Sequence, residues 1–150
     1  MVRGKFFIGA LFGFLTLLVS SQLFAQADII EKRQKVMKGQ SAAAKAIKGA
    51  VESKDYATVE LKAKDLMSSS EKIPDLFPKG STQGKTKAKA EIWEKPDDFA
   101  KNAKNLNKAA SELASAAKAK DDAAVTAKVK AVSEACSSCH KAFREKKYSE

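Results

Sequence analysis

Four stretches of this chain repeat apolar or small residues every seven positions, and a single cluster of prolines and glycines divides them into two pairs. From Asp28 to about Ser53 the row is Ile30, Met37, Ala44 and Val51, with Ile47 on its flank. Asp55 stands where a second helix needs an N-cap, ahead of Val59, Leu66 and Ile73 with Tyr56 and Ala63 beside them. Pro96 sits near the start of a third, where Asp97 and Asp98 suit the positive end of the helix dipole. The rows of that helix are Phe99, Leu106, Leu113 and Ala103, Ala110, Ala117. Asp121 or Asp122 opens a fourth, with rows Val125, Val132, Cys139 and Val129, Cys136, Phe143. No run of alternating β-branched residues is long enough for a sheet. Pro74, Pro78, Gly80, Gly84 and Pro96 all fall in one connection. Two close pairs joined by one long loop predict an all-α, antiparallel four-helix bundle.

The first 27 residues do not belong to that bundle. Arg3 and Lys5 precede an apolar run, Phe6 to Val19, and Ala25-Gln26-Ala27 gives a small-x-small cleavage site. This order is that of a secretory signal peptide, and the run is shorter than the about 20 residues a spanning helix needs. The expected division is therefore a signal peptide over 1–27 and one domain over 28–150, with no stable membrane insertion after cleavage. Removing Arg3 and Lys5 takes the formal charge from +10 to +8. An exported, basic chain favours acidic partners and argues against nucleic acid. No nucleophile–base pair and no phosphate-binding glycine loop is present, so no enzyme is expected.

From residue 28 onward only 24 of 123 positions are Val, Ile, Leu, Met, Phe, Tyr or Trp, and many inward positions are Ala. Alanine lines a seam but fills little volume, and interiors do not tolerate large voids. A flat, largely apolar macrocycle would fill such a space. The segment "ACSSCHKAFREKKYSE" offers the means of attaching one: it contains both cysteines, Cys136 and Cys139, and the only histidine, His140. At about 100° per residue the three fall on one face of a helix. Cys-x-x-Cys-His is a c-type haem attachment motif, with two thioether bonds and the imidazole as axial ligand. A thioredoxin-like redox pair would want a βαβ setting, a zinc site a fourth ligand, and a disulfide across one helical turn would close too small a loop to stabilise much. For the other side of the iron the soft candidates are Met37 and Met67, and from spacing alone Met37 reads as core packing.

Three stretches together resemble the class II c-type cytochromes, the cytochrome c′ family. "CSSCHKAFREK" is similar to their C-terminal signature, with Phe143 and Arg144 after the haem motif. "EKRQKVMKG" resembles the first-helix segment covering the distal haem face, and "DLFPKGSTQGKTKAKAEIWEKPDDF" their central loop and the start of the third helix. The resemblance spans the chain from residue 28 and implies a bundle with one covalent haem c, exported to the bacterial periplasm. It implies His140 as proximal ligand and places Met37 at the distal position, where the low-spin branch of the family has a ligating methionine. Arg33 and Gln34 correspond to residues near the haem edge and propionates, and Thr86 and Lys87 to the segment closing over the propionates. Trp93 falls beside the haem or on the bundle end, and Arg144 near the proximal imidazole. The function so implied is a periplasmic monohaem carrier of single electrons, ligated by His140 and Met37, working with acidic redox proteins as a monomer or homodimer. The alternative is a five-coordinate cytochrome c′ that binds or scavenges small gases such as NO.

Overall fold

The computed structural model describes residues 9–82 and 84–146, with side chains described from residue 27. Its long helices are α1 (Gly9–Glu52), α2 (Tyr56–Glu71), α4 (Pro96–Lys118) and α5 (Asp122–Phe143), with a single-turn α3 (Glu91–Glu94) ahead of α4. Among the described residues there is no strand, only an isolated antiparallel bridge between Ala88 and Arg144. The expected four-helix bundle is what forms. Arg3 and Lys5, the basic start of the expected signal peptide, lie outside the described residues. α1 nevertheless continues N-terminal of Asp28, where the sequence analysis began its first helix; no proline interrupts Gly9–Glu52.

Two tight links are built alike. Lys54 and Lys120 adopt left-handed backbone conformations (φ 55° and 54°), and each is followed by an aspartate that caps the next helix. The Asp55 carboxylate accepts from the Thr58 N–H and that of Asp121 from the Ala124 N–H, both at 3.0 Å. A reversal this short forces neighbouring helices antiparallel. Cross-helix contacts agree: Gln40 Nε2 donates to Ser69 Oγ (3.1 Å), Asn107 Nδ2 to the Met67 carbonyl (3.1 Å), and Lys128 pairs with Glu112 (2.7 Å). Lys54 and Tyr56 both reach Asp122, so the α1–α2 link is tied to the start of α5.

The core is centred on α4. Phe99, Ala103, Leu106, Ala110, Leu113 and Ala117 are all buried, together with Val59, Ala63 and Leu66 of α2. Leu113 has no exposed surface, so Leu113→Ala should destabilise the fold by about 2–5 kcal/mol in chemical unfolding. α1 differs from its expected row. Ile30 and the flanking Ile47 are buried as expected, but Ala44 is exposed and Met37 and Val51 are half-buried, whereas Arg33, Gln40, Ala43 and Ala50 are buried. The cause is that α1 packs on α2 and hardly meets α5. Its buried stripe therefore turns toward α2, and the polar members find partners there and in the loop. Ile73 is buried as expected but lies beyond α2, because Pro74 ends the helix and opens a 3₁₀ turn, Pro74–Leu76.

Candidate functional site

Cys136, Cys139 and His140 lie on the last turns of α5. Only Val125, Val132 and Phe143 of this helix are fully buried. Val129, Ala131, Ala135, Cys136 and Cys139 pack against the core but remain half-covered, as do Met37 and Val51 across from α4 on α1. The two helices that share this half-covered seam scarcely touch each other. A broad apolar group with cysteine attachment on one wall fits this arrangement. Cys136 and Cys139 are not bridged to each other. Burial pushes both thiols up, Cys139 to about 11 with help from its neighbour, so both carry their protons near neutral pH. Burial and the charge of Arg144 lower the His140 imidazole, which favours the neutral form an iron requires. Among the described residues no group of three or more His, Cys, Asp or Glu side chains could hold a metal ion.

Arg33 and Gln34 of α1 bond to the long loop, and Lys87 of that loop bonds to the segment after α5. Arg33 is 3 % exposed, and its guanidinium is spent largely on the loop. Its Nε donates to the Leu76 carbonyl, Nη1 to the Ser81 carbonyl (2.9 Å) and Nη2 to the Ser81 hydroxyl. It also lies 4.3 Å from the Phe77 ring centre and 5.6 Å from that of Trp93. Burial lowers its pKa to about 10, still fully charged at neutral pH. Gln34 Nε2 donates to the Lys85 carbonyl (3.1 Å), and the Thr86 hydroxyl accepts from the Ala88 N–H (3.1 Å). Lys87 Nζ donates to the Lys146 carbonyl (3.0 Å). Gly84 sits against α1 with φ 108°, a left-handed conformation that favours glycine; an added Cβ would also lie 3.1 Å from Ile30 Cδ1, which would have to move by a few tenths of an ångström.

Sequence reasoning missed how firmly this loop is attached to the haem-motif helix. Lys89 N–H donates to the Phe143 carbonyl (3.1 Å) and Glu145 N–H to the Lys87 carbonyl (2.8 Å), flanking the Ala88–Arg144 bridge. Trp93 Nε1 donates to the carbonyls of Phe77 (3.1 Å) and Pro78 (2.9 Å), closing the loop upon itself. Phe77 and Phe99 also carry contacts that no motif announced. Their one visible signal was position: Phe77 stands between Pro74 and Pro78 inside the proline–glycine segment, and Phe99 just after it.

The sequence profile described as Cytochrome C′ matches residues 28–144. A curated cytochrome c′ of Rhodospirillum rubrum is 37% identical over 134 residues, covering 87% of this chain and 90% of the relative. The crystal structure of cytochrome c′ from Thermochromatium tepidum superposes with a TM-score of 0.74 at 27% identity, covering 80% of this chain and 96% of that one. A further solved cytochrome c′, described as having an unusual ligand-controlled dimer dissociation, gives a TM-score of 0.74 at 28% identity, covering 81% and 97%. This chain belongs to the cytochrome c′ family. It is thus a monohaem c-type cytochrome, with one covalently bound haem c. Family members are bacterial c-type cytochromes, and no described helix is long and apolar enough to cross a membrane.

Proposed function

We propose that this chain is an exported periplasmic haem protein whose iron is ligated by His140 and left accessible to a small gas such as nitric oxide on the opposite side. In this reading residues 1–27 are removed and residues 28–150 form the working protein. Cys136 and Cys139 hold the group on α5, and His140 supplies the imidazole. Haem c bound there supplies an iron that changes oxidation state and takes up diatomic ligands. Met37 walls the far side and keeps bulky molecules and bulk water away, without ligating. Arg33 and Gln34 hold the loop against α1, and in this reading Thr86 and Lys87 would lie at the haem edge, as the family resemblance assigns them. The observation that carries this reading is the half-covered seam: α1 and α5 barely meet, so Met37 is not packed shut against the helix that bears His140. The kinship with cytochrome c′, over 87% of this chain, supports it. Stopped-flow mixing of the reduced protein with nitric oxide tests it: rapid binding at every haem is expected, and a protein that ignores nitric oxide contradicts it.

A second reading has its own observation. Met37 is a half-buried thioether on α1 that packs against the same core as Cys136 and Cys139. If its sulfur ligates, the protein is a single-electron carrier, because constant axial ligation keeps the geometry similar in both oxidation states. The charge of +8 left after signal removal would then steer it to acidic redox proteins, with rates that fall as salt rises. Nucleic acid has no place in either reading. The chain would act as a monomer or, like the relative with ligand-controlled dissociation, as a homodimer.

A further inference from the structure

α1 and α5 make few contacts with each other, yet they carry Met37 and His140. Something other than direct packing must hold them at a fixed distance. One continuous chain of ring contacts runs between them at the loop end of the bundle. On α1 the Arg33 guanidinium lies 4.3 Å from the Phe77 ring centre. Phe77 meets Phe99 of α4 edge-on, with centroids 4.8 Å apart and planes at 68°. Phe99 meets Phe143 of α5 in the same manner, at 5.3 Å and 80°. Trp93 flanks the start of the row, 6.3 Å from Phe77. Edge-to-face contacts are directional, so each ring constrains the next.

The two ends of this row are close to the site. Arg33 lies four residues before Met37, one turn along the same helix face. Phe143 lies three residues after His140, and its carbonyl is gripped by the Lys89 N–H. At the α1 end the anchor is unusual: a buried cation with no carboxylate partner among the described residues, held by the Leu76 and Ser81 carbonyls, the Ser81 hydroxyl and ring faces. A planar guanidinium can serve carbonyls at its edge and a ring at its face together, and an ammonium cannot. Phe99 and Phe143 are both buried and Phe77 is half-buried, so the row is enclosed at its α4 and α5 members.

We propose that Arg33, Phe77, Phe99 and Phe143 form one stack that sets the spacing between the Met37 turn of α1 and the His140 turn of α5. These are positioning residues: they act on the site through the helices they hold apart. The inference rests on the haem reading above, and it recasts Arg33 chiefly as a loop clasp, with most of its bonding capacity committed away from any propionate.

The test compares haem-loaded Arg33→Lys, Phe77→Leu and Phe99→Leu with Leu113→Ala, which damages the core without touching the stack. Two quantities are read: the association rate of nitric oxide with the reduced protein, and amide hydrogen exchange over residues 77–93. Stack variants should shift the rate by roughly two- to thirtyfold and speed exchange in the loop. Leu113→Ala should lower the melting temperature while leaving the rate near wild type. Arg33→Lys keeps the charge and is the variant of choice if a phenylalanine variant fails to fold. Stack variants that lose stability but keep the wild-type rate would overturn the proposal. If the wild type does not bind nitric oxide, the gas reading fails, and the stack is then judged by the high-spin fraction of the iron. That fraction should rise in the stack variants and not in Leu113→Ala; an unchanged fraction overturns the stack.

Discussion

Replacing Cys136 and Cys139 together by serine should yield a chain with no covalently attached haem. On a denaturing gel the haem-dependent peroxidase stain should vanish, and intact mass should match the bare polypeptide. The reason is local: these are the only two thiols, they lie one turn apart on the half-covered face of α5, and no other side chain can make a thioether bond. A second effect should follow in folding. The seam between α1 and α5 is lined by side chains that remain half-covered, and α1 meets α5 too little to be held there by its own contacts. Without the group, α1 should exchange its amides faster than α4, whose buried face is complete. A double variant that retains covalent haem would refute the attachment, and one whose α1 is as protected as in the wild type would refute the role of the haem in completing the core.

Met37 carries the next largest effect, and its two roles predict opposite results. As a wall, it can be replaced by leucine with little change in the ferrous spectrum, since the volumes are similar and no bond to iron is lost. Met37→Ala should then widen access and speed nitric oxide association by roughly tenfold, the equivalent of about 1.4 kcal/mol removed from the barrier. As a ligand, Met37 gives a different pattern: both substitutions abolish a low-spin spectrum, and both convert a gas-refractory protein into a gas-binding one. Comparing leucine with alanine therefore separates loss of bulk from loss of sulfur. Stability should not confuse the result, because Met37 is only half-buried.

Much of the architecture was written in local patterns. Both rows expected for α4 are buried in full, from Phe99 to Leu113 and from Ala103 to Ala117, because this helix lies between two neighbours and its apolar face is covered on both sides. The cap Asp55 was readable, and that of the last helix was narrowed to Asp121 or Asp122, of which Asp121 is the cap, because a cap is satisfied within three residues. The first helix was harder. Of its seven-residue row of Ile30, Met37, Ala44 and Val51 only Ile30 is buried; the flanking Ile47 is buried as well, in a row with Arg33 and Gln40 that the apolar pattern did not show. Two polar side chains could be buried there only because Ser69, Leu76 and Ser81, far along the chain, offer oxygens to them. Such partners are long-range facts that periodicity does not contain.

The site divides along the same line. Cys136, Cys139 and His140 are legible because their spacing is local chemistry on one helix. The character of residue 37 is not, since a methionine at one position can pack or ligate according to a separation set by other elements. The loop was recognisable as a loop, but its attachment to α5 through Lys87, Lys89 and the Ala88–Arg144 bridge depends on backbone pairing across more than fifty residues. Arg33 is the clearest case. The family resemblance alone assigned it to the haem edge, and its three bonds to the 74–82 segment are long-range contacts that no local pattern announces.

The most direct test of this account is the absorption spectrum of the purified, reduced protein before and after carbon monoxide. A five-coordinate, high-spin ferrous spectrum that converts fully on adding the gas is the predicted result. A six-coordinate, low-spin ferrous spectrum that carbon monoxide leaves unchanged would contradict it and assign the sixth position to Met37.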